Sequence, residues 1–181
     1  MKFTKLICAA LALTSFTVAA DDDALSVLAL KRASFTLEQA VEKVTTDYQG
    51  QIIEFELDDH DGQSTYEIEV INLQKEEKYK LHLSTADGTV LKEKSRSLST
   101  LGFSRLDDDE YQALKELETS QFSLSSALAE LREQYTAEVM EFELENEKGI
   151  TFYKFKLIDQ QGRKRVIVDV KTGEMIPIMK H

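Results

Sequence analysis

Phe35-Thr-Leu-Glu-Gln-Ala-Val41 and Phe122-Ser-Leu-Ser-Ser-Ala-Leu128 open two versions of one passage. The first runs through Tyr48 to Glu54-Phe-Glu-Leu57, then to Gly62 and Tyr66. The second runs through Tyr135 to Glu141-Phe-Glu-Leu144, then to Gly149 and Tyr153. A constant offset of 87 residues holds without a gap from Phe35 and Phe122 to Ile71 and Ile158. Self-similarity at a fixed period implies repeated structural units, and so bounds the architecture before any residue is read for chemistry.

Within each passage the apolar period changes once. Thr36 stands at an N-cap with Gln39 three residues on, and Phe35 is placed to staple back over Ala40. Leu37, Ala40, Val41, Val44 and Tyr48 then recur at helical spacing. Leu124, Ala127, Leu128, Leu131 and Tyr135 repeat that stripe behind Ser123, which lacks the Gln or Glu partner. Gly50 is the expected stop of the first helix, and Ala137 gives the second no comparable signal.

Beyond the helices the period falls to two. Phe55 and Leu57 alternate with Glu54, Glu56 and Asp58; Tyr66, Ile68 and Val70 alternate with Glu67 and Glu69; Leu81 and Leu83 alternate with Lys80 and His82. The second passage follows with Phe142 and Leu144, then Tyr153, Phe155 and Leu157, then Val166, Val168 and Val170. Short Gly- or Asp-bearing loops separate these runs, which predicts an antiparallel meander with one buried and one wet face. The fold class is α+β: two tandem units, each a helix packed on a three- to four-stranded antiparallel sheet, with a small core in each.

A fainter match precedes each helix. Val27 and Leu30 stand before Phe35 as Leu114 and Leu117 stand before Phe122, so each unit is expected to carry a leading helix. The predicted organisation is a signal peptide over 1–20, a first unit over 21–96, a linker over 97–106 and a second unit over 107–181. The signal segment has basic Lys2 and Lys5, an apolar run from Leu6 to Leu13, and Val18-Ala19-Ala20 before the expected cleavage point. That run is far shorter than the ~20 residues a spanning helix needs.

Cleavage would remove Cys8, the single cysteine, and leave 20 Lys+Arg against 33 Asp+Glu, a formal charge of −13. A mature chain without cysteine carries no disulfide or thiol chemistry. Its acidity argues against nucleic acid or anionic lipid as an electrostatic partner. The expectation is an exported protein, periplasmic or secreted, with no stable membrane insertion after cleavage.

The two wet faces are expected to differ. Glu54 and Glu56 should lie across from Glu67 and Glu69, a like-charged patch suited to a cationic partner unless Lys78 and Lys80 neutralise it. In the second unit Glu141 and Glu143 should face Lys154 and Lys156. The patch of Glu54, Glu56, Glu67 and Glu69 is therefore the candidate partner surface.

Glu141-Phe-Glu-Leu-Glu145, a Gly turn, Tyr153-Lys-Phe-Lys-Leu157 and Val168-Asp-Val-Lys-Thr-Gly-Glu-Met175 together resemble the PepSY domain. The chain is similar to a signal peptide followed by two such domains. Asp169, Thr172 and Gly173 match the closing signature, whereas Ser84-Thr-Ala-Asp-Gly88 keeps the Gly and lacks the Asp and Thr. The resemblance implies a non-catalytic interaction module that binds and regulates a separate envelope or secreted protein, a peptidase being the candidate class. The alternative is a periplasmic small-ligand or cation sensor in a signalling system. Asp169, Thr172 and Gly173 are read as hairpin-forming residues.

No residue pattern points to catalysis or to a cofactor. Serines occur in no nucleophile motif, and His60, His82 and His181 are scattered through a loop, a strand and the C-terminus. Asp58-Asp-His-Asp61 before Gly62 groups potential metal ligands, but an EF-hand loop would need acids at Leu57 and Ile68. The cluster is read as a solvated acidic turn, and neither an enzyme nor a metal site is expected.

Overall fold

A computed structural model describes residues 18–101, 103–159 and 161–178. The expected signal segment lies outside them except for residues 18–20, which open the first helix; His181 also lies outside. The elements run α1 (Val18–Arg32), α2 (Leu37–Tyr48), β1 (Gln51–His60), β2 (Gln63–Asn72), β3 (Glu77–Ser84), β4 (Val90–Ser97), β5 (Ser99–Thr100) and β6 (Phe103–Ser104). They continue with α3 (Asp108–Thr119), α4 (Leu124–Tyr135), β7 (Glu138–Glu147), β8 (Ile150–Asp159), β9 (Gly162–Asp169) and β10 (Met175–Pro177).

The helices begin where their caps place them. The Thr36 hydroxyl accepts from the Gln39 amide while the Gln39 side chain accepts from the Thr36 amide. Asp107 and Glu110 make the same reciprocal pair at α3, whereas Ser123 caps α4 alone. At the far end the structure corrects the expectation for Gly50. The left-handed residues that end α2 and α4 are Gln49 (φ 53°) and Thr136 (φ 48°). Gly50 serves close approach instead: a Cβ there would stand 2.6 Å from the Ile71 carbonyl oxygen. Asn72 fastens the same corner, its amide donating to the carbonyls of Tyr48 and Gln49 at 3.0 Å each.

The strands form one eight-stranded sheet in the order β10-β9-β8-β7-β1-β2-β3-β4. Its centre is the junction between the units, where β1 pairs antiparallel with β7 and Phe55 faces Phe142. These two phenylalanines are equivalent in the repeat, so their pairing relates the units by a local twofold. Buried Leu37, Val41 and Val44 of α2 and Leu128 and Leu131 of α4 cover one side of the sheet in a single apolar cluster spanning both units. The expectation of two separate small cores is thus corrected: edge pairing at β1–β7 merges them. Helix α3 sits on the opposite face, where Leu114 clusters with Ile71 and Leu98. Residues of the expected linker form a small hairpin, β5–β6, just after β4.

Candidate functional site

Because β2 lies between β1 and β3, alternate residues of all three strands line up on the sheet face away from α2 and α4. Glu54 faces Glu69 and Glu56 faces Glu67 across β1–β2, while Glu54 faces Glu143 and Glu56 faces Glu141 across β1–β7. The acidic strip of the first unit therefore continues over the junction into the second. Cations border it on both sides. Lys78 pairs with Glu69, and Lys80 pairs with Glu67 and, at 3.5 Å, with Glu69. On the far side Lys156 pairs with Glu141. Lys154 stands opposite Glu143 in register but its ammonium pairs with Glu145.

Among the described residues no cation lies within ion-pairing distance of Glu54 or Glu56. Burial, reinforced by Glu69 and Glu143, holds the Glu54 carboxyl above the usual carboxylate range. Burial, then Glu141, Asp58 and Glu67, does the same for Glu56. Burial also leads the upward shift of Glu143, with Glu145 adding to it.

The histidines are less scattered than the sequence suggests. His60 and His82 stack with ring centroids 4.8 Å apart and planes at 29°. The meander brings the ends of β1 and β3 to the same face, which linear separation hides. His82 Nε2 lies 3.3 Å from Glu67 Oε2, and its Nδ1 lies 3.9 Å from Asp58 Oδ2. Burial pushes the His82 pKa down, against the pull of Glu67.

The signature residues of the second unit sit in the turn after β9. Asp169 Oδ1 accepts from the Lys171 and Thr172 amides and from the Thr172 hydroxyl, and the Gly173 amide (φ 73°) donates to the Asp169 carbonyl at 2.8 Å. The first unit makes the same turn without the signature. There the Gly88 amide (φ 74°) donates to the Ser84 carbonyl at 2.9 Å, and Ser84 Oγ accepts from the Ala86 amide. A serine hydroxyl thus takes the place of the Asp169 carboxylate.

The last element of the face is its margin. β4 ends the strand order and pairs only with β3, so its outer edge is free among the described residues. Lys92, Lys94 and Arg96 stand in register with His82, Lys80 and Lys78, which makes this margin basic. The β5–β6 hairpin next to it exposes Leu101 (94%) and Phe103 (77%).

A family model described as the peptidase propeptide and YPEB domain, PepSY, matches residues 36–94 and 122–176. The chain belongs to the PepSY family. The two matched regions coincide with the two halves of the sheet, and PepSY modules are generally non-catalytic. Among solved structures, the chain is similar to a putative lipoprotein from Clostridium difficile 630, with 20% identity over 79% of this chain and 91% of that one and a TM-score of 0.44. It is also similar to the C-terminal domain of YpeB from Bacillus megaterium, with 16% identity over 83% of this chain and 69% of that one and a TM-score of 0.25. No curated protein matches it. No helix of the described residues is long and apolar enough to cross a membrane.

Proposed function

We propose that this PepSY protein is an exported, non-catalytic interaction module that binds and regulates another secreted or envelope protein, with peptidases the first class to test. One observation carries the reading: the sheet ends in the free strand β4, whose chain continues directly into a hairpin exposing Leu101 and Phe103. An unpaired edge offers main-chain donors and acceptors to an added strand, and neighbouring side chains supply selectivity. Large apolar side chains grouped at such an edge add the desolvation energy that polar contacts lack.

The chemistry of the edge limits the partner. A strand added to β4 would run beside Lys92, Lys94 and Arg96, so its residues on that face are acidic or polar. Farther in, the strip of Glu54, Glu56, Glu67 and Glu69 is a second contact for a basic group of the same partner. Glu67 and Glu69 are engaged by lysines, so Glu54 and Glu56 supply its available charge.

Residual activity of a panel of secreted metallopeptidases, measured with the mature chain in micromolar excess, tests the peptidase reading. Saturable inhibition of at least one supports it. A flat response across the panel removes the peptidase as target, and failure to capture any protein from an envelope extract removes the binding module itself.

A further inference from the structure

The cluster of His82, Asp58 and Glu67 has features that a protein-docking role does not require. His82 is only 6% exposed, yet its Nδ1 has no hydrogen-bond partner. The other buried side-chain atom without a partner among the described residues is Thr65 Oγ1, on the strand between Asp58 and Ser84 in register. Two orphaned polar atoms on adjacent strands of one sheet face are unusual, because buried polar groups are nearly always satisfied and each exception calls for an explanation, such as a water or an ion.

The geometry specifies what kind of partner. A neutral imidazole carries one N–H and one lone pair. Placing that N–H on Nε2, which has the acceptor Glu67 Oε2 at 3.3 Å, leaves the lone pair on Nδ1 facing Asp58 Oδ2 across 3.9 Å. Two Lewis bases facing each other with no proton between them repel, and a cation between them relieves both. The two donors that would share the ion, His82 Nδ1 and Asp58 Oδ2, stand 3.9 Å apart. Zinc lies about 2.0–2.2 Å from nitrogen and oxygen ligands, which puts neighbouring ligands of a tetrahedral site about 3.4 Å apart. Asp58, whose side chain is 41% exposed, has the freedom to close the gap to the about 3.4 Å of such a site. A carboxylate on the far nitrogen of a metal-bound histidine is the usual second partner that fixes its tautomer. His60 stacks on a face of the same ring.

We propose that His82 Nδ1 and Asp58 bind a divalent first-row transition-metal ion, with Glu67 orienting His82 and water completing the coordination. An imidazole donor favours zinc, copper or nickel over calcium and magnesium, which prefer all-oxygen sites. The site lies on the same face as the acidic strip but uses neither Glu54 nor Glu56, and it stands independently of any protein partner.

Calorimetric titration of the mature chain with zinc chloride, alongside calcium chloride and magnesium chloride, tests the assignment. The expected result is one equivalent of zinc bound, no comparable calcium or magnesium isotherm, and a zinc affinity about tenfold or more lower in Asp58→Asn and His82→Gln. Asp58 is part-exposed and the Asn side chain is isosteric, so Asp58→Asn tests the site even if His82→Gln fails to fold. In the wild-type chain, zinc should also move the His82 ring signals in an NMR spectrum. No zinc binding, equal zinc affinity in wild type and Asp58→Asn, or calcium binding as tightly as zinc would each overturn the site.

Discussion

Phe55 of the first unit and Phe142 of the second stack at a centroid distance of 5.3 Å, each fully buried, at the middle of the sheet. They are the same residue of the repeat, and their contact is the point where two units become one core. A structure joined in this way has no apolar boundary along which the units can separate.

Thermal or urea unfolding of the whole chain is accordingly expected to be a single transition. Phe142→Ala should cost about 3–5 kcal/mol and lower the stability of both units together. Calorimetry checks this: two resolved transitions, with only the later one moved by Phe142→Ala, would show that the units fold separately.

A second tie crosses the same junction. The buried Tyr153 hydroxyl donates to the Ile52 carbonyl of the first unit, next to the bulge in β1. Its repeat equivalent, Tyr66, donates to the Phe35 carbonyl within its own unit at 3.0 Å. Tyr153→Phe leaves a buried carbonyl without a donor, so a loss of about 1–3 kcal/mol is expected in urea denaturation. Tyr66→Phe should cost less, because Phe35 is only partly buried.

The Glu54–Glu143 pair predicts a pH dependence. Both carboxyls are held above their usual range in the folded chain. The folded state therefore binds more protons than the unfolded one, and the contribution of this pair to stability falls as pH rises from the ordinary carboxylate pKa through the raised values. Glu143→Gln should stabilise the chain at pH 7 by a few tenths to about 1 kcal/mol, the worth of a like-charged cross-strand pair. Near pH 4 the gain should shrink. Urea midpoints at the two pH values read the difference directly, and an equal gain at both would refute the electrostatic cause.

Much of this architecture can be read from local patterns. The Thr36–Gln39 spacing, the Phe55/Leu57 alternation and the Gly173 turn each encode their own geometry within a few residues. The four glutamates face one another as the period of two requires. The merger of the sheets was not legible, because β1–β7 pairing joins segments 87 residues apart through an edge that no local pattern marks. The His82–Asp58 arrangement escaped for a related reason. Its members lie on different strands, and only the register His82–Glu67 and Asp58–Thr65 places them side by side. In the first unit the turn forms without the signature because the Ser84 hydroxyl accepts the amide that a carboxylate accepts in the second.

Hydrogen exchange on the chain, alone and bound to a protein captured from an envelope extract, tests whether the β4 edge is the binding surface. In the free chain the outward amides of β4 should exchange fast, while the amides of β1 and β7 at the sheet centre are among the slowest. On binding, new protection should concentrate in residues 90–104, spanning β4 and the Leu101–Phe103 hairpin. Protection confined to other surfaces, with 90–104 unchanged, would exclude the β4 edge as the binding surface.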